Sequence, residues 1–393
     1  MKSATVTLLA CVLITLVLGS IHAFSVFLVP LEELLQASRA QVSLIYSSAL
    51  LCLTCTVLVG YKIYPLLNAP MIGCIACLIA AIGTLLSGHG SSYLWVFLGY
   101  AVIFGGANGI GYGFALQLSA QAMPQHKGIA MGTVTACYAL GAAIAPTIYK
   151  LGLARNGFSG AMDLASLILI ITALIVYLLL RFSNAQYTGE STTSSITAKD
   201  STTTQLLLWL GYGAGCTSGL MVLGHAIGIV QSAGGSLQVA LISLSLIALS
   251  NMAGGLVAGW LADRINMKIL LYFLPLCSAI TALLLSMNNE IQPVVAGLII
   301  IGFCYGAIIA IYPVAVSIMF GASASSKIYG RVFTAWGLAG LVGPWFAGYL
   351  FDRSSAYSAS LLTAGAVSLV SMLAVYFIGP VVNEAAKVAK IDP

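Results

Sequence analysis

The sequence predicts an all-α membrane protein with twelve transmembrane helices in two pseudo-symmetric six-helix bundles. Hydrophobic residues make up 60% of the 393 residues and charged residues only 6%, whereas a soluble domain has roughly 45–50% and about 25%. Apolar runs long enough to cross a bilayer, about 20 residues each, recur along the whole chain. A Ser/Thr-rich stretch separates six of these runs from the other six.

Short polar or Gly/Pro-containing stretches separate the runs and define the predicted spans. Spans 1 to 12 cover residues 5–29, 40–61, 69–87, 92–119, 127–151, 160–181, 205–232, 238–262, 267–287, 291–320, 328–350 and 356–379. The longest polar stretch, 182–204, is predicted to be a flexible linker. The predicted domains are therefore an N-terminal bundle (1–181), this linker (182–204) and a C-terminal bundle (205–393).

Basic residues set the predicted orientation. With the N-terminus inside the cell, eleven of the 15 Lys and Arg residues fall in cytoplasmic segments, and only Arg39, Lys150, Arg155 and Arg353 fall outside. Cytoplasmic loops carry an excess of Lys and Arg, so both termini and the linker are predicted to be cytoplasmic. The membrane is expected to be the inner (plasma) membrane. The charges are scattered and do not indicate nucleic-acid binding. The expected partners are the bilayer and a small-molecule substrate, and we expect a monomer.

The two halves carry an internal repeat. Residues 139–146 (ALGAAIAP) in span 5 match 337–344 (GLAGLVGP) in span 11, and residues 21–25 (IHAFS) in span 1 loosely match 224–228 (GHAIG) in span 7. Transporters built from repeats hold their substrate near the bilayer midplane, between the repeats. Tyr138 and Trp336, which are related by the repeat, are predicted to face each other across a central cavity.

The candidate substrate contacts are uncharged polar and aromatic residues, because acidic and basic residues are absent from the central part of every predicted span. A charge in lipid is costly. Some candidates share a helix face at i,i+4, and others lie near the midplane by residue count. For each one the alternative is helix–helix packing. The predicted contacts are Asn108, Tyr112, Tyr138, Asn251, Tyr305, Tyr312 and Trp336.

His22 and His225 lie about 8–10 Å from the centres of their spans, toward the outer side, at 1.5 Å per residue. A histidine can become charged near neutral pH, so each is a candidate proton or anion contact. The alternative is a neutral histidine that hydrogen-bonds at a helix contact.

Several other classes of site are disfavoured. Cys52-x-x-Cys55 and Cys74-x-x-Cys77 have a zinc-like spacing, but an apolar setting opposes the charged thiolates that zinc needs. We therefore expect no metal and no cofactor. The sequence has no H-E-x-x-H or G-x-S-x-G motif, so an enzyme is not expected. It also lacks the charged rings or filter-like loop of a channel.

Residues 259–268 (GWLADRINMK), between spans 8 and 9, resemble the cytoplasmic loop signature of the major facilitator superfamily. In that superfamily the loop acts as a gate latch, so the resemblance implies a gating role for Asp263 and Arg264. The glycine would let two helices approach, and the aspartate would lie near the positive N-terminus of a neighbouring helix. The equivalent loop between spans 2 and 3, residues 60–65 (GYKIYP), lacks both the acid and the arginine.

A second resemblance, to the oxalate–formate antiporter and monocarboxylate porter branch, lies in spans 4, 5, 10 and 11. It rests on residues 312–313 (YP), 320–321 (FG), 329–340 (YGRVFTAWGLAG), 123–124 (MP) and 127–132 (KGIAMG). It implies a secondary transporter that moves a small organic anion, in our interpretation a monocarboxylate, by alternating access, driven by a proton or solute gradient. The alternative is a porter or efflux pump for neutral or lipophilic molecules. The oxalate porters place a lysine where Trp336 stands and an arginine near Gly255, so dicarboxylate binding is not implied.

The predicted orientation can be tested at the linker. A Ser195→Cys protein should react with a membrane-impermeant thiol reagent only from the cytoplasmic side, because the charge count places residues 182–204 inside. The wild-type chain, with its nine native cysteines, provides the background. Labelling of the Ser195→Cys protein above this background in intact cells would contradict the predicted orientation.

Overall fold

A computed structural model describes residues 2–37, 39–90, 92–188, 202–288, 290–354 and 356–378. Ser195, most of the predicted linker and the predicted cytoplasmic C-terminus lie outside the described residues. All regular elements in the described ranges are helical, and 3-10 turns and one π segment are interspersed among α-helices. The elements are Lys2–Leu18, Gly19–Phe27 (3-10), Leu28–Leu35, Arg39–Ile63, Tyr64–Leu66 (3-10), Ala69–His89, Tyr93–Val96, Phe97–Phe104 (π), Gly105–Ala122, Lys127–Phe182, Thr202–Gly224, Ala226–Ser232, Leu237–Ala262, Met267–Ser286, Ile291–Ser354 and Ser358–Tyr376.

Ten helices among the described residues are long and apolar enough to cross a membrane. The longest of these, Lys127–Phe182, consists of two helices, because the backbone leaves helical geometry at Asn156 and at Gly157, where φ is 62°. The helix Ile291–Ser354 is interrupted in the same way at Gly321, where φ is 78°. These breaks fall between predicted spans 5 and 6 and between spans 10 and 11. The prediction of an all-α membrane protein is confirmed, and the helices are consistent with twelve spans.

Contacts divide the chain into two compact units. The first comprises Met1–Pro124 and Cys137–Thr192, and the second comprises Gln125–Ala136 and Thr193–Pro393. The long helix Lys127–Phe182 thus gives its first turns to the second unit and the rest to the first. The predicted domain boundaries at residues 181 and 205 stay a prediction.

Several helices begin at a residue whose side chain accepts a hydrogen bond from the first turn. Asn68 accepts from the Met71 N–H at 3.0 Å, Asn266 from the Lys268 N–H at 2.9 Å, and Ser236 from the Val239 N–H at 3.3 Å. The first turn of a helix has N–H groups without intrahelical partners, and such caps satisfy them. Polar residues at span boundaries therefore fix where the helices start.

Glycines let the helices pack backbone against backbone. In the first unit, a Cβ added to Gly141 would overlap the carbonyl oxygen of Leu16. In the second unit, a Cβ added to Gly254 would overlap the carbonyl oxygen of Phe303. Small residues at helix contacts are the usual means of close packing in membranes, where there is little hydrophobic drive for helices to associate.

The first helix of each predicted bundle is interrupted near its histidine. In span 1 the α-helix Lys2–Leu18 continues as the 3-10 segment Gly19–Phe27, which contains His22. In span 7 the helix Thr202–Gly224 ends next to His225, and a new helix, Ala226–Ser232, follows. The loose sequence repeat around the two histidines therefore coincides with a break in each helix.

The Gly141 contact can be tested with a matched pair of substitutions. Gly141→Ala should lower the free energy of unfolding by about 1–3 kcal/mol, because the new methyl group overlaps the neighbouring backbone. Gly340→Ala is the control: Gly340 is helical and has no atom within 4 Å of its added Cβ, and alanine favours a helix over glycine. Thermal unfolding of the two purified variants gives the comparison, and equal effects would argue against the close approach.

Candidate functional site

A hydrogen-bonded network forms in the first unit where span 1 leaves α-helical geometry. The Asn108 side-chain amide donates to the Leu18 carbonyl at 2.6 Å, and the Tyr138 hydroxyl donates to the Asn108 side-chain oxygen at 2.7 Å. Asn108 is completely buried. Both ends of its amide are therefore held, and the network links spans 1, 4 and 5.

His22 joins this network from the 3-10 segment. Its Nδ1 lies 2.7 Å from the Tyr46 hydroxyl oxygen, and the tautomer decides which group donates. The imidazole meets the Tyr138 ring edge-on, with centroids 5.4 Å apart. A titratable ring is thus held between spans 2 and 5.

Aromatic packing completes the arrangement. The Tyr112 and Tyr138 rings lie 4.8 Å apart, and Phe24 stacks on Tyr46 at 5.5 Å. His22, Tyr46 and Tyr138 are only partly buried, whereas Tyr112, like Asn108, is buried. The arrangement therefore combines three partly buried side chains with two buried ones. We call His22, Tyr46, Asn108, Tyr112 and Tyr138 the span 1 cluster.

A second aromatic group lies in the second unit. The Trp336 indole N–H donates to the Tyr305 hydroxyl oxygen at 3.2 Å, and Phe333 stacks on Trp336 with centroids 5.1 Å apart. Tyr305 and Trp336 are both buried. We call Tyr305, Phe333 and Trp336 the span 11 cluster. Because Tyr138 and Trp336 belong to different units, their predicted facing stays a prediction.

Two predicted contacts lie elsewhere in the second unit. Tyr312 packs against Tyr212, with centroids 4.6 Å apart, and Tyr212 lies 6.4 Å from Phe333 at the edge of the span 11 cluster. Asn251 packs against Gly306: a Cβ added to Gly306 would overlap the backbone and side-chain oxygens of Asn251. Asn251 therefore lies at a contact between helices, which agrees with the alternative of helix–helix packing rather than with a substrate contact.

The two histidines have different surroundings. The His225 Nε2 lies 2.9 Å from the Pro344 carbonyl oxygen, to which it donates, and its ring lies 5.7 Å from Tyr357. His225 therefore joins spans 7, 11 and 12 at a helix contact. Only His22 lies among other predicted substrate contacts.

Asp263 receives two backbone hydrogen bonds at the start of the helix Lys127–Phe182. Its two carboxylate oxygens accept from the Gly128 and Ile129 N–H groups at 2.8 and 2.9 Å. A carboxylate at this place neutralises the positive end of the helix. The position matches what the loop signature implies.

Glycines bring the two helices close enough for this contact. Gly128 and Gly132 on one helix meet Gly255 and Gly259 on the other, and added Cβ atoms on Gly128, Gly132 or Gly259 would lie within 3 Å of the opposite backbone. Each pair has G-x-x-x-G spacing, which lets two helices touch. The contact is therefore specified on both sides by sequence.

Arg264 folds back on its own helix. Its guanidinium lies 4.0 Å from the centre of the Trp260 ring and donates to the Trp260 carbonyl at 3.1 Å. This is a cation–π arrangement. Asp263, rather than Arg264, makes the contact with the helix Lys127–Phe182.

The cysteines of the zinc-like pattern are free thiols. No group of three or more His, Cys, Asp or Glu residues in the described part of the chain is arranged to hold a metal ion.

Sequence reasoning missed Tyr46 in the first unit and Phe333 and Tyr212 in the second. A usable signal existed for Tyr46: it lies six residues from the start of span 2, and His22 lies seven residues from the end of span 1. Antiparallel neighbours would then place the two at similar depth. Phe333 and Tyr212 are aromatic residues within long apolar runs, and no local pattern distinguishes them.

Comparison with known proteins agrees with this architecture. Residues 8–317 match the family model of the Major Facilitator Superfamily. The chain is 24% identical over 350 residues, 86% of each chain, to the uncharacterized MFS-type transporter YhjX of Escherichia coli (strain K12). It is 24% identical over 321 residues, 76% of each chain, to the oxalate:formate antiporter of Oxalobacter formigenes. It is 23% identical over 366 residues, 90% of this chain and 83% of the relative, to monocarboxylate transporter 13 of Rattus norvegicus.

The fold is also similar to that of a solved transporter. The proton:xylose symporter XylE superposes with a TM-score of 0.74 over 96% of each chain, at 14% identity. The chain belongs to the major facilitator superfamily. It is an integral membrane transporter rather than an enzyme, and its resemblance to the oxalate–formate and monocarboxylate branch is confirmed.

The bond between Tyr138 and Asn108 can be measured by a double-mutant cycle. Tyr138→Phe should lower the free energy of unfolding by about 1–3 kcal/mol, because the buried Asn108 oxygen loses its donor. In an Asn108→Leu background the same change should cost much less. Thermal unfolding of the four proteins gives the coupling, and equal costs in both backgrounds would mean that the two residues do not interact.

Proposed function

We propose that the chain is a secondary transporter of small organic monocarboxylates, working by alternating access and driven by a proton or solute gradient. The observation that carries this proposal is the span 1 cluster. It combines a titratable imidazole, phenolic hydroxyls and a fixed amide at one place inside the membrane-spanning helices.

These groups suit a carboxylate that carries one charge. Hydroxyl and imidazole N–H groups can donate to carboxylate oxygens, and hydrogen bonds to an ionised acceptor are stronger than those between neutral groups. The resemblance to the oxalate porters implies that Trp336 stands at one position where they keep a cation and that Gly255 lies near the other. A dianion would therefore be poorly compensated in a low-dielectric site, while Trp336 and Tyr305 suit a substrate with an apolar part.

The names of two relatives include monocarboxylates, and one of them also includes the dicarboxylate oxalate. One is an oxalate:formate antiporter and another a monocarboxylate transporter. Formate and other monocarboxylates share one carboxylate group, and that group is the feature that the span 1 cluster would recognise.

Asp263 is proposed to serve the transport cycle rather than the substrate. Its carboxylate caps the helix Lys127–Phe182 through Gly128 and Ile129, far along the chain from the residues of the span 1 cluster. A contact of this kind can be broken and remade as helices move. Arg264 is proposed to serve the same gate from its place on the Trp260 ring and carbonyl.

The placement in the membrane is proposed from the charge pattern. Both termini and the linker are proposed to be cytoplasmic. The inner (plasma) membrane and a monomeric state are part of the same proposal.

The second candidate function is transport of neutral or lipophilic molecules. The span 11 cluster favours it, because Trp336, Phe333 and Tyr305 form an aromatic surface with a single polar tip, the Tyr305 hydroxyl. Such a surface binds apolar rings without requiring a charge.

Uptake into proteoliposomes distinguishes the two functions. Labelled formate, lactate, oxalate and lactamide, the neutral amide of lactate, should be compared with and without a pH gradient and with counter-solute inside. Formate or lactate should accumulate several-fold over protein-free vesicles, and a gradient should raise this uptake. Uptake of lactamide but of no carboxylate would favour the second function and contradict the first.

Replacing the carboxylate of Asp263 should lower the rate of the transport cycle. Asp263→Asn keeps one acceptor oxygen but loses the charge, so transport should slow by about tenfold, the factor for ~1.4 kcal/mol. Equilibrium binding of lactate should change little. A large loss of affinity with normal turnover would place Asp263 at the substrate instead.

A cation at position 336 should change selectivity. Trp336→Lys should raise the ratio of oxalate to lactate uptake by about tenfold or more, because a lysine would compensate the second negative charge. Trp336→Phe is the control, since it keeps an aromatic ring and adds no charge. Should both variants keep the wild-type ratio, Trp336 does not contact the substrate.

A further inference from the structure

The peptide group before His22 is held by a side chain that the proposed transport function does not use. The Tyr100 hydroxyl, from span 4, donates to the Ile21 carbonyl oxygen at 3.3 Å. Tyr100 is completely buried, and its partner carbonyl lies in the 3-10 segment Gly19–Phe27, which contains His22. The hydrogen-bond geometry of a 3-10 segment is poorer than that of an α-helix, so a donor from another span helps to fix the backbone there.

The Tyr100 ring is also connected to the His22 ring through two other aromatic side chains. Tyr100 packs on Phe24 with centroids 5.0 Å apart, and Phe24 stacks on Tyr46 at 5.5 Å with the ring planes 10° apart. The Tyr46 hydroxyl oxygen lies 2.7 Å from the His22 Nδ1. The backbone of His22 is therefore held by the Tyr100 hydroxyl through Ile21, and its imidazole is held by Tyr46.

Span 4 presents Tyr100 from a π segment. Phe97–Phe104 is π-helical, and π segments within α-helices are rare and frequently lie at functional sites. This segment packs closely on span 3, because a Cβ added to Gly99 would lie 2.5 Å from the Ser87 nitrogen and 2.6 Å from the Gly83 carbonyl oxygen. Such packing leaves the backbone around Tyr100 little freedom to shift. Two departures from α-helical geometry, one in span 1 and one in span 4, therefore meet at the Tyr100 hydroxyl.

We propose that Tyr100 is a positioning residue for His22. Its hydroxyl and ring hold the 3-10 segment so that the imidazole is kept in one place, next to the Tyr46 hydroxyl. This inference rests on the proposed function, in which His22 contacts a monocarboxylate. Tyr100 acts through His22 rather than on the substrate, because its hydroxyl proton is used by the Ile21 carbonyl. A binding group that is already fixed costs less to order when the substrate arrives, so the contact raises affinity.

The position of His22 can be followed by NMR of the full-length protein in nanodiscs, isotope-labelled at histidine Cε1. The chain has four histidines, and His22→Ala identifies the signal of His22. Tyr100→Phe keeps the aromatic ring and removes only the hydroxyl, so the His22 signal should shift or broaden while the other three stay in place. Tyr93→Phe is the matched control: the Tyr93 hydroxyl, also in span 4, donates to the Gln41 carbonyl at 2.8 Å, and its loss should leave all four signals unchanged.

Equilibrium binding of lactate tests the consequence for the substrate. Tyr100→Phe should weaken binding by about threefold to tenfold, the effect of one net hydrogen bond, whereas Tyr93→Phe should bind as wild type does. In a His22→Ala background, Tyr100→Phe should cause no further loss, because Tyr100 acts through the imidazole.

An unchanged His22 signal in Tyr100→Phe would overturn the proposal. Movement of all four signals, an equal effect of Tyr93→Phe on the His22 signal, or an equal loss of lactate affinity with and without His22 would also overturn it, since each result would give Tyr100 a general structural role. If His22→Ala itself leaves lactate affinity unchanged, the proposed function fails instead. The His22 signal then decides by itself whether Tyr100 positions the ring.

Discussion

In a bilayer a backbone carbonyl has no water to pair with, so every departure from regular helix needs a partner from the protein. Span 1 leaves α-helical geometry at Gly19, and two of its carbonyls receive side-chain donors: Leu18 from Asn108 and Ile21 from the Tyr100 hydroxyl, at 2.6 and 3.3 Å. At the interruption of span 7, His225 donates to a carbonyl of another helix, that of Pro344 in span 11. Asn108 and Tyr100 therefore stabilise the interruption of span 1, and Asn108 is also part of the candidate site.

The same constraint separates the proposed binding residues from the proposed gating residue Asp263. In the central parts of the predicted spans, polarity is supplied by side chains other than Asp, Glu, Lys and Arg, since an ion is costly in lipid. The paired carboxylate of Asp263 lies instead at a helix end, where two N–H groups and the helix dipole compensate its charge. Glycines on both helices make that approach feasible.

The sequence predicted the parts of the fold that depend on composition. Apolar runs gave the spans, and the breaks at Gly157 and Gly321 fall where short loops were expected. Asn108, Tyr112 and Tyr138 were predicted together, because helical spacing and depth are readable from one chain. The partners of Asn251 and His225 were not predictable, since which helix faces a residue depends on packing between distant spans. Phe333 was missed for the same reason, whereas the depth of Tyr46 in span 2 was readable from the sequence and went unused.

The central claim is that His22 and its neighbours bind a monocarboxylate. Equilibrium binding of labelled lactate to the purified protein tests this claim most directly, with His22→Ala compared with wild type and with His126→Ala, an exposed histidine between spans 4 and 5. The account predicts that His22→Ala weakens lactate binding by about tenfold or more, the effect of losing a charge-assisted hydrogen bond, while His126→Ala binds as wild type does. Unchanged affinity in a folded His22→Ala protein would contradict it.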